Sequence, residues 1–400
     1  MNTPVYLGRP AITGALGSGL HTHIDALLSP SSKPALTFSS DLVGGKNLAF
    51  GMVKETLRPF SDGTPAHCRS RTNRLLWHTL EQIEPQIDAA IRRYGANRIA
   101  VVIGTSTGGA DENIPMFRQA VQGKAWQDLT FNQCQHLMSA PADFIADAYG
   151  LNGLRYVVST ACTSGARALI SAARLLRAGM CDAVICGGAD TLSPLTVNGF
   201  ASLEVLSPNI ANPFSANRDG INIGEGAAVF IMTRDADFSG GMQLLGYGSS
   251  SDAYHISTPR PDAQGAILAF QTALQHAGLA PEDIGWINLH GTGTHHNDSM
   301  ESRAVAAVFG NNTPCTSTKP QTGHTLGAAG AIEAAFAWGI ADRQSNPEGK
   351  FPPQLWDGQN DPDLPAINLT GSSSRWETEK RIAASSSFAF GGSNCVLLIG

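Results

Sequence analysis

Residues 155–170 read Arg155-Tyr156-Val157-Val158-Ser159-Thr160-Ala161-Cys162-Thr163-Ser164-Gly165-Ala166-Arg167-Ala168-Leu169-Ile170. A β-branched run ends in a turn of small side chains, and a helical pattern of small and apolar residues follows at once. Such a junction belongs to a strand feeding a helix across a sheet. Similar junctions recur along the chain. Strands are predicted at 98–104, 155–158, 183–186, 227–233, 242–246, 286–289 and 383–387, and helices at 72–94, 163–178, 262–277, 298–309 and 324–340. This alternation predicts an α/β fold of parallel strands joined by helical crossovers.

A second turn echoes the first. Ser317-Thr318-Lys319-Pro320-Gln321-Thr322-Gly323-His324 opens another small-residue helix, Leu326-Gly327-Ala328-Ala329-Gly330-Ala331. Each turn would set a reactive side chain at a helix start. Two similar halves with a site between them, 1–238 and 239–400, would account for the echo.

Composition agrees with a large buried enzyme: 42% of residues are hydrophobic, 15% are charged, and 43 of the 400 are glycine. A net charge of −6 argues against a nucleic-acid surface. The seven cysteines include no CxxC pair and suggest no disulfide framework. The N-terminus lacks a cationic segment followed by an apolar one, and no apolar run could span a bilayer. A cytoplasmic enzyme without a membrane span is expected.

Cys162 reads either as a buried structural thiol or as a nucleophile whose thiolate the positive end of a helix would favour. His290 lies in Leu289-His290-Gly291-Thr292-Gly293-Thr294, just after a predicted strand, where α/β folds place ligands. It could instead be a structural histidine, or join His295 and His296 on a metal, although their spacing fits no usual zinc pattern. His324 would occupy the first turn of its helix, where the dipole keeps an imidazole neutral and able to donate to a developing negative charge. Lys319 precedes it by five positions and Glu333 follows it by nine.

Near the C-terminus, Phe388-Ala389-Phe390-Gly391-Gly392-Ser393-Asn394 could be a plain β-turn, or could aim the Phe390 N–H into a pocket. Gly104-Thr105-Ser106-Thr107-Gly108-Gly109 has neither a P-loop ending nor dinucleotide spacing, so nucleotide binding is not expected.

Together, Ser-Thr-Ala-Cys-Thr-Ser-Gly around Cys162, His-Gly-Thr-Gly-Thr from His290, Lys-Pro-Gln-Thr-Gly-His from Lys319 and Phe-Ala-Phe-Gly-Gly-Ser-Asn from Phe388 resemble the elongating β-ketoacyl-acyl-carrier-protein synthases. Arg218-Asp219-Gly220 and Gly224-Glu225-Gly226 extend the match along nearly the whole chain. The resemblance implies a thiolase-like fold, two α/β halves in five αβαβα layers, assembled as a dimer. It assigns Cys162 the acyl group and His290 and His324 the decarboxylation of a malonyl thioester. The N–H groups of Cys162 and Phe390 would form the oxyanion hole, with the Phe390 ring as a gate. Thr292, Thr294 and Phe388 would contact substrate, the first two through the phosphopantetheine arm of the acyl carrier protein. Lys319 and Glu333 would support the histidines, with Asp298 and Glu301 as partners of the lysine. Arg69, Arg71 and Arg74 match a basic dock for the acidic carrier, while Glu204 stands where arginine is common.

No bound cofactor and no metal are implied. Biosynthetic thiolases would need a second catalytic cysteine at the glycine turn, and the surroundings of Cys395 do not match theirs. Thr107, at a position usually bulkier and apolar near the acyl-pocket floor, together with Thr163 and Ala389, suggests a specialised synthase for polyketide or aryl polyene chains. The alternative is a chain-length-factor-like subunit, a non-catalytic partner in a ketosynthase heterodimer. The dimer could be homo- or heteromeric.

Overall fold

A computed structural model describes residues 3–29 and 31–400. Two sheets form the frame. The first draws on β1 (Tyr6–Leu7), β2 (Ala11–Gly14) and β3 (Gly17–Ser18). A separate hairpin follows, β4 (Thr37–Ser39) with β5 (Leu48–Phe50). The first sheet is completed by β6 (Ile99–Gly104), β7 (Arg155–Val158), β8 (Ala183–Asp190) and β9 (Gly226–Thr233), in the order β3-β2-β9-β8-β6-β7 with β1 also on β9. The second sheet holds β10 (Leu244–Ser251), β11 (Trp286–Asn288), β12 (Pro314–Thr316), β13 (Asn368–Leu369), β14 (Ala383–Ala389) and β15 (Ser393–Ile399), ordered β10-β15-β14-β11-β12-β13.

Neither sheet is wholly parallel, contrary to the expectation from alternation. In the first, β6 runs parallel to β7 and β8, but β8 meets β9 antiparallel. In the second, β11 runs parallel to β12 and β14, while β14 and β15 form an antiparallel hairpin. The reason is local: β15 returns after the short Phe390-Gly391-Gly392 turn, and no helix intervenes to reverse the chain. The two sheets thus repeat one motif, a parallel pair extended by an antiparallel strand.

Alternate residues of each strand enter different cores, which defines five layers. Val102, Val184, Phe230 and Met232 face Leu397, Ile399 and Trp286 of the other sheet across the helices Ser164–Arg177 and Ala329–Ala341. The opposite faces carry outer helices. Val101, Ile103 and Ile231 pack on Arg71–Leu80 and Ala140–Ala148, and Ile287, Val396 and Leu398 pack on Gln264–Ala277 and His295–Phe309. All thirteen residues of Ala329–Ala341 are buried, so that helix has no polar stripe. The single helix expected over 72–94 is broken: Arg71–Leu80 ends in a 3-10 turn and Glu84–Tyr94 restarts with Pro85 in its first turn.

Among the described residues, no helix is long and apolar enough to cross a membrane.

Candidate active site

The site lies where parallel strands of both sheets end. Cys162 follows β7, His290 follows β11, and His324 follows β12 and the short helix Lys319–Thr322. The turn before Cys162 is tight enough to force Ala161 to φ 51°, a left-handed conformation costing about 1–2 kcal/mol for a residue with a Cβ. Leu326, two residues after His324, takes φ 52°. Both reactive turns therefore hold a non-glycine residue in the same strained region, extending the echo between the halves.

Three side chains converge. His324 Nε2 is 3.0 Å from Cys162 Sγ. The two imidazoles lie edge to face, with centroids 5.1 Å apart. All three residues are buried. Lys319 Nζ donates to His290 Nδ1 at 3.4 Å and to Glu333 Oε1 at 2.5 Å, inside the core. An ammonium has no lone pair, so Nδ1 of His290 must accept and its proton must sit on Nε2. His324 differs, because its Nδ1 has no hydrogen-bond partner.

Burial governs the electrostatics. It pushes the Cys162 thiol up to about 12, with the Lys319 charge opposing and Glu333 and Asp190 adding to the rise. The expectation that a helix start would yield a resting thiolate is corrected: Cys162 precedes the N-cap Thr163, and desolvation prevails there. Both histidines are held well below their ordinary value, first by burial and then by Lys319. His324 is neutral for that reason, since it bridges to Ile223 ahead of the helical turn Leu326–Ala328 and does not lie in a first turn.

The supporting acids are placed differently from expectation. Asp298 and Glu301 do not pair with Lys319. Glu301 accepts from the backbone N–H of His290 and Gly291, each at 2.7 Å, and from Ser386 Oγ at 2.8 Å. Asp298 accepts from the N–H groups of Thr292, Gly293 and Phe214. Three residues apart on one helix, the two carboxylates face the same loop and hold its backbone. Burial lifts Glu301 to about 7.

A cavity of about 70 Å³ reaches Cys162 and is lined by His290, His324, Thr292, Thr294, Phe388 and Phe390, among others. The Thr292 and Thr294 hydroxyls are 2.9 Å apart. The Phe390 ring rests on Phe200, centroids 5.6 Å apart, and Phe388 packs edge-on to His290. The turn beneath Phe390 needs glycine, with Gly391 at φ 85° and Gly392 at φ 74°. Thr107 does not line this cavity; its hydroxyl and N–H bond the Asp190 carboxylate instead.

The three arginines expected to dock the carrier also bond within the chain. Arg71 grips the buried Glu225 through two bonds, of 2.6 and 3.2 Å. Arg74 donates to the carbonyls of Leu57 and Arg58, and Arg69 to those of Thr64 and Asp62. These bonds tie the guanidinium groups to the fold, while Arg69 and Arg71 remain exposed and Arg74 half-buried. His295 and His296 are exposed at the start of their helix, and only His296 reaches the cavity mouth. Ligand atoms of Cys162, His290 and His324 lie within 4.8 Å of one another, but the Lys319 ammonium beside His290 opposes a cation there.

Residues 73–237 match the β-ketoacyl synthase N-terminal domain, and 242–347 the β-ketoacyl synthase C-terminal domain. The chain is 34% identical over 330 residues to a 3-oxoacyl-[acyl-carrier-protein] synthase 2 of Synechocystis, covering 77% of this chain and 76% of that protein. It is 32% identical to nodulation protein E of Rhizobium meliloti, over 76% and 75% of the two chains. Among solved structures it resembles the ketosynthase ApeO, determined in complex with its chain length factor ApeC, from Xenorhabdus doucetiae. There the TM-score is 0.90 at 41% identity, over 100% of this chain and 98% of that one. The ishigamide ketosynthase/chain length factor gives 0.84 at 25%, over 100% and 99%.

Proposed function

The chain belongs to the β-ketoacyl synthase family, and from that premise we propose that it condenses an acyl group carried on Cys162 with a malonyl group on an acyl carrier protein. It is a 3-oxoacyl-acyl-carrier-protein synthase of the polyketide type, using carrier-bound phosphopantetheine thioesters and no separate cofactor. The observation that carries the assignment of roles is the 3.0 Å contact between His324 Nε2 and Cys162 Sγ.

Cys162 Sγ attacks the acyl thioester while its proton passes to His324 Nε2. The bond to the phosphopantetheine sulfur breaks, and the departing thiolate takes that proton. With nothing fixing its Nδ1, His324 is free to accept a proton and return it. Malonyl thioester then enters past Thr292 and Thr294. Its carbon–carboxylate bond breaks and carbon dioxide leaves. The electron pair spreads into the thioester carbonyl, whose oxygen receives a hydrogen bond from the Nε2–H of His290. His324 adds a second once its ring proton has moved, by exchange with water, from the unpartnered Nδ1 to Nε2. The new carbanion attacks the acyl-Cys carbonyl with the N–H groups of Cys162 and Phe390 as oxyanion donors. A carbon–carbon bond forms, the Cys162 thiolate leaves, and it takes from water, by way of His324, the one proton that the overall reaction consumes.

Burial that keeps both histidines neutral suits this chemistry, because decarboxylation needs donors more than a strong base. We place the chain in the cytoplasm, paired with a chain-length-factor-like subunit. The presence of Cys162 with both histidines makes this chain the active member of such a pair. The halves 1–238 and 239–400 each supply one side of the site.

Incubation with saturated, polyunsaturated and aryl-primed acyl-carrier thioesters, read by intact and peptide mass spectrometry, tests the reading. An adduct on Cys162 that disappears in Cys162→Ala supports it. No adduct from any thioester, with or without a partner subunit, sinks it.

A further inference from the structure

One fully buried carboxylate stands between the backbone segments that carry the reactive groups. Asp190 ends β8 and has no exposed surface. Its Oδ1 accepts from Thr105 Oγ1 (2.6 Å), Ser106 N (3.0 Å), Thr107 N (3.2 Å) and Thr107 Oγ1 (3.0 Å). Its Oδ2 accepts from Ser106 N (2.9 Å), Ser106 Oγ (2.6 Å) and Gly327 N (2.6 Å). Every lone pair is used, the condition under which a buried charge is tolerated.

The donors come from two places that flank the nucleophile. Residues 105–107 follow β6, whose Gly104 lies so close to the Cys162 helix that an added Cβ would stand 2.4 Å from Gly165 N. Gly327 is the third residue after His324, and a Cβ there would meet Asp190 Oδ2 and Ser106 N at 2.6 Å each. Gly165 in turn lies against the Gly327 carbonyl. One carboxylate therefore ties the His324 segment to the strand end on which the Cys162 helix rests.

We propose that Asp190 is a positioning residue of the condensation, setting His324 opposite Cys162 by clamping Gly327 and the 105–107 turn to a single carboxylate. This role rests on the reaction proposed above. The carboxylate also acts through its charge, adding to the rise of the Cys162 thiol.

Asp190→Asn keeps the size of the side chain but replaces one acceptor oxygen with an NH₂ that faces N–H donors. Its kcat for condensation should fall about tenfold or more, with KM for malonyl carrier changed by less than about twofold. The pH profile of Cys162 alkylation by iodoacetamide, read at the Cys162 peptide, should move to lower pH because a nearby negative charge is gone. Ser106→Ala removes one donor and should lower kcat in the same direction by less, which decides the matter if Asp190→Asn does not fold. Folded variants with unchanged kcat and an unmoved alkylation profile overturn the proposal, as does a fall in melting temperature alone. Alkylation needs no acyl substrate, so a wild-type chain inert to every thioester would refute the condensation while leaving the Asp190 clamp open to measurement.

Discussion

Lys319 donates to Nδ1 of His290, and that one contact fixes the imidazole proton on Nε2, the nitrogen left to face the reacting carbonyl. Glu333 holds the lysine from its other side. Lys319→Ala would leave a buried Glu333 without a partner and free the His290 tautomer. It should cost about 3–5 kcal/mol of stability, together with most of the condensation activity. The double variant Lys319→Met, Glu333→Met should recover stability in chemical denaturation yet stay impaired in kcat. Recovery of both would reduce the pair to a packing role.

His324→Ala removes the group that hydrogen-bonds Cys162 Sγ. Transfer of acyl groups to Cys162, followed by stopped-flow release of the carrier thiol, should slow by about 10²–10⁴. His290→Ala should spare acyl transfer and abolish decarboxylation of malonyl carrier. Equal losses in both half-reactions would contradict the division of labour read from the two tautomers.

Arg71→Glu should act on the fold. It places a second carboxylate against the buried Glu225 and should lower stability by about 2 kcal/mol or more, read as a drop in denaturation midpoint. An increase in KM for carrier at unchanged stability would assign Arg71 to docking instead.

Glu301 titrates near neutrality. Its folded-state value is raised from 4.5 to about 7, so folding favours its protonated form. The stability this gives is complete below about 4.5 and is lost as pH rises through 7. Wild-type enzyme should therefore lose stability relative to the non-titrating Glu301→Gln between pH 5 and 8. Denaturant midpoints at the two pH values check this, and a constant difference would show that Glu301 stays ionised throughout.

Phe390→Ala should enlarge the 70 Å³ cavity, which has little room beyond the reacting thioester. Acyl-Cys162 should then hydrolyse faster as water enters, measured by decay of the mass-labelled adduct. An unchanged half-life would show that the ring does not seal the site.

The turns at Cys162 and His290 were legible because small residues packed between a β-branched run and a helical pattern admit few other readings. Strand direction was not. Whether β15 returns parallel or antiparallel depends on the three-residue turn at Phe390, and hydrophobic periodicity is blind to direction. Asp298 and Glu301 were seen but given the wrong partner. Their spacing on one helical face, just past the His290 loop, was the signal that both would hold that loop. Asp190 carried only a faint mark, an acid at the end of an apolar strand, because its six donors come from segments more than eighty residues away. The Glu225 partner of Arg71 was hidden for the same reason: an exposed cation at a helix start gives no hint of a buried glutamate 154 residues along the chain.

The helix Ala329–Ala341 belongs to the C-terminal half by sequence, yet it packs on β8 and β9 of the first sheet as well as on β14 and β15 of the second. Having no face that water can wet, it cannot persist outside the finished molecule. Neither sheet can close its inner surface until the other arrives, so the chain should unfold as one cooperative block. Cutting it between the halves should yield fragments that precipitate separately and regain solubility only when refolded together.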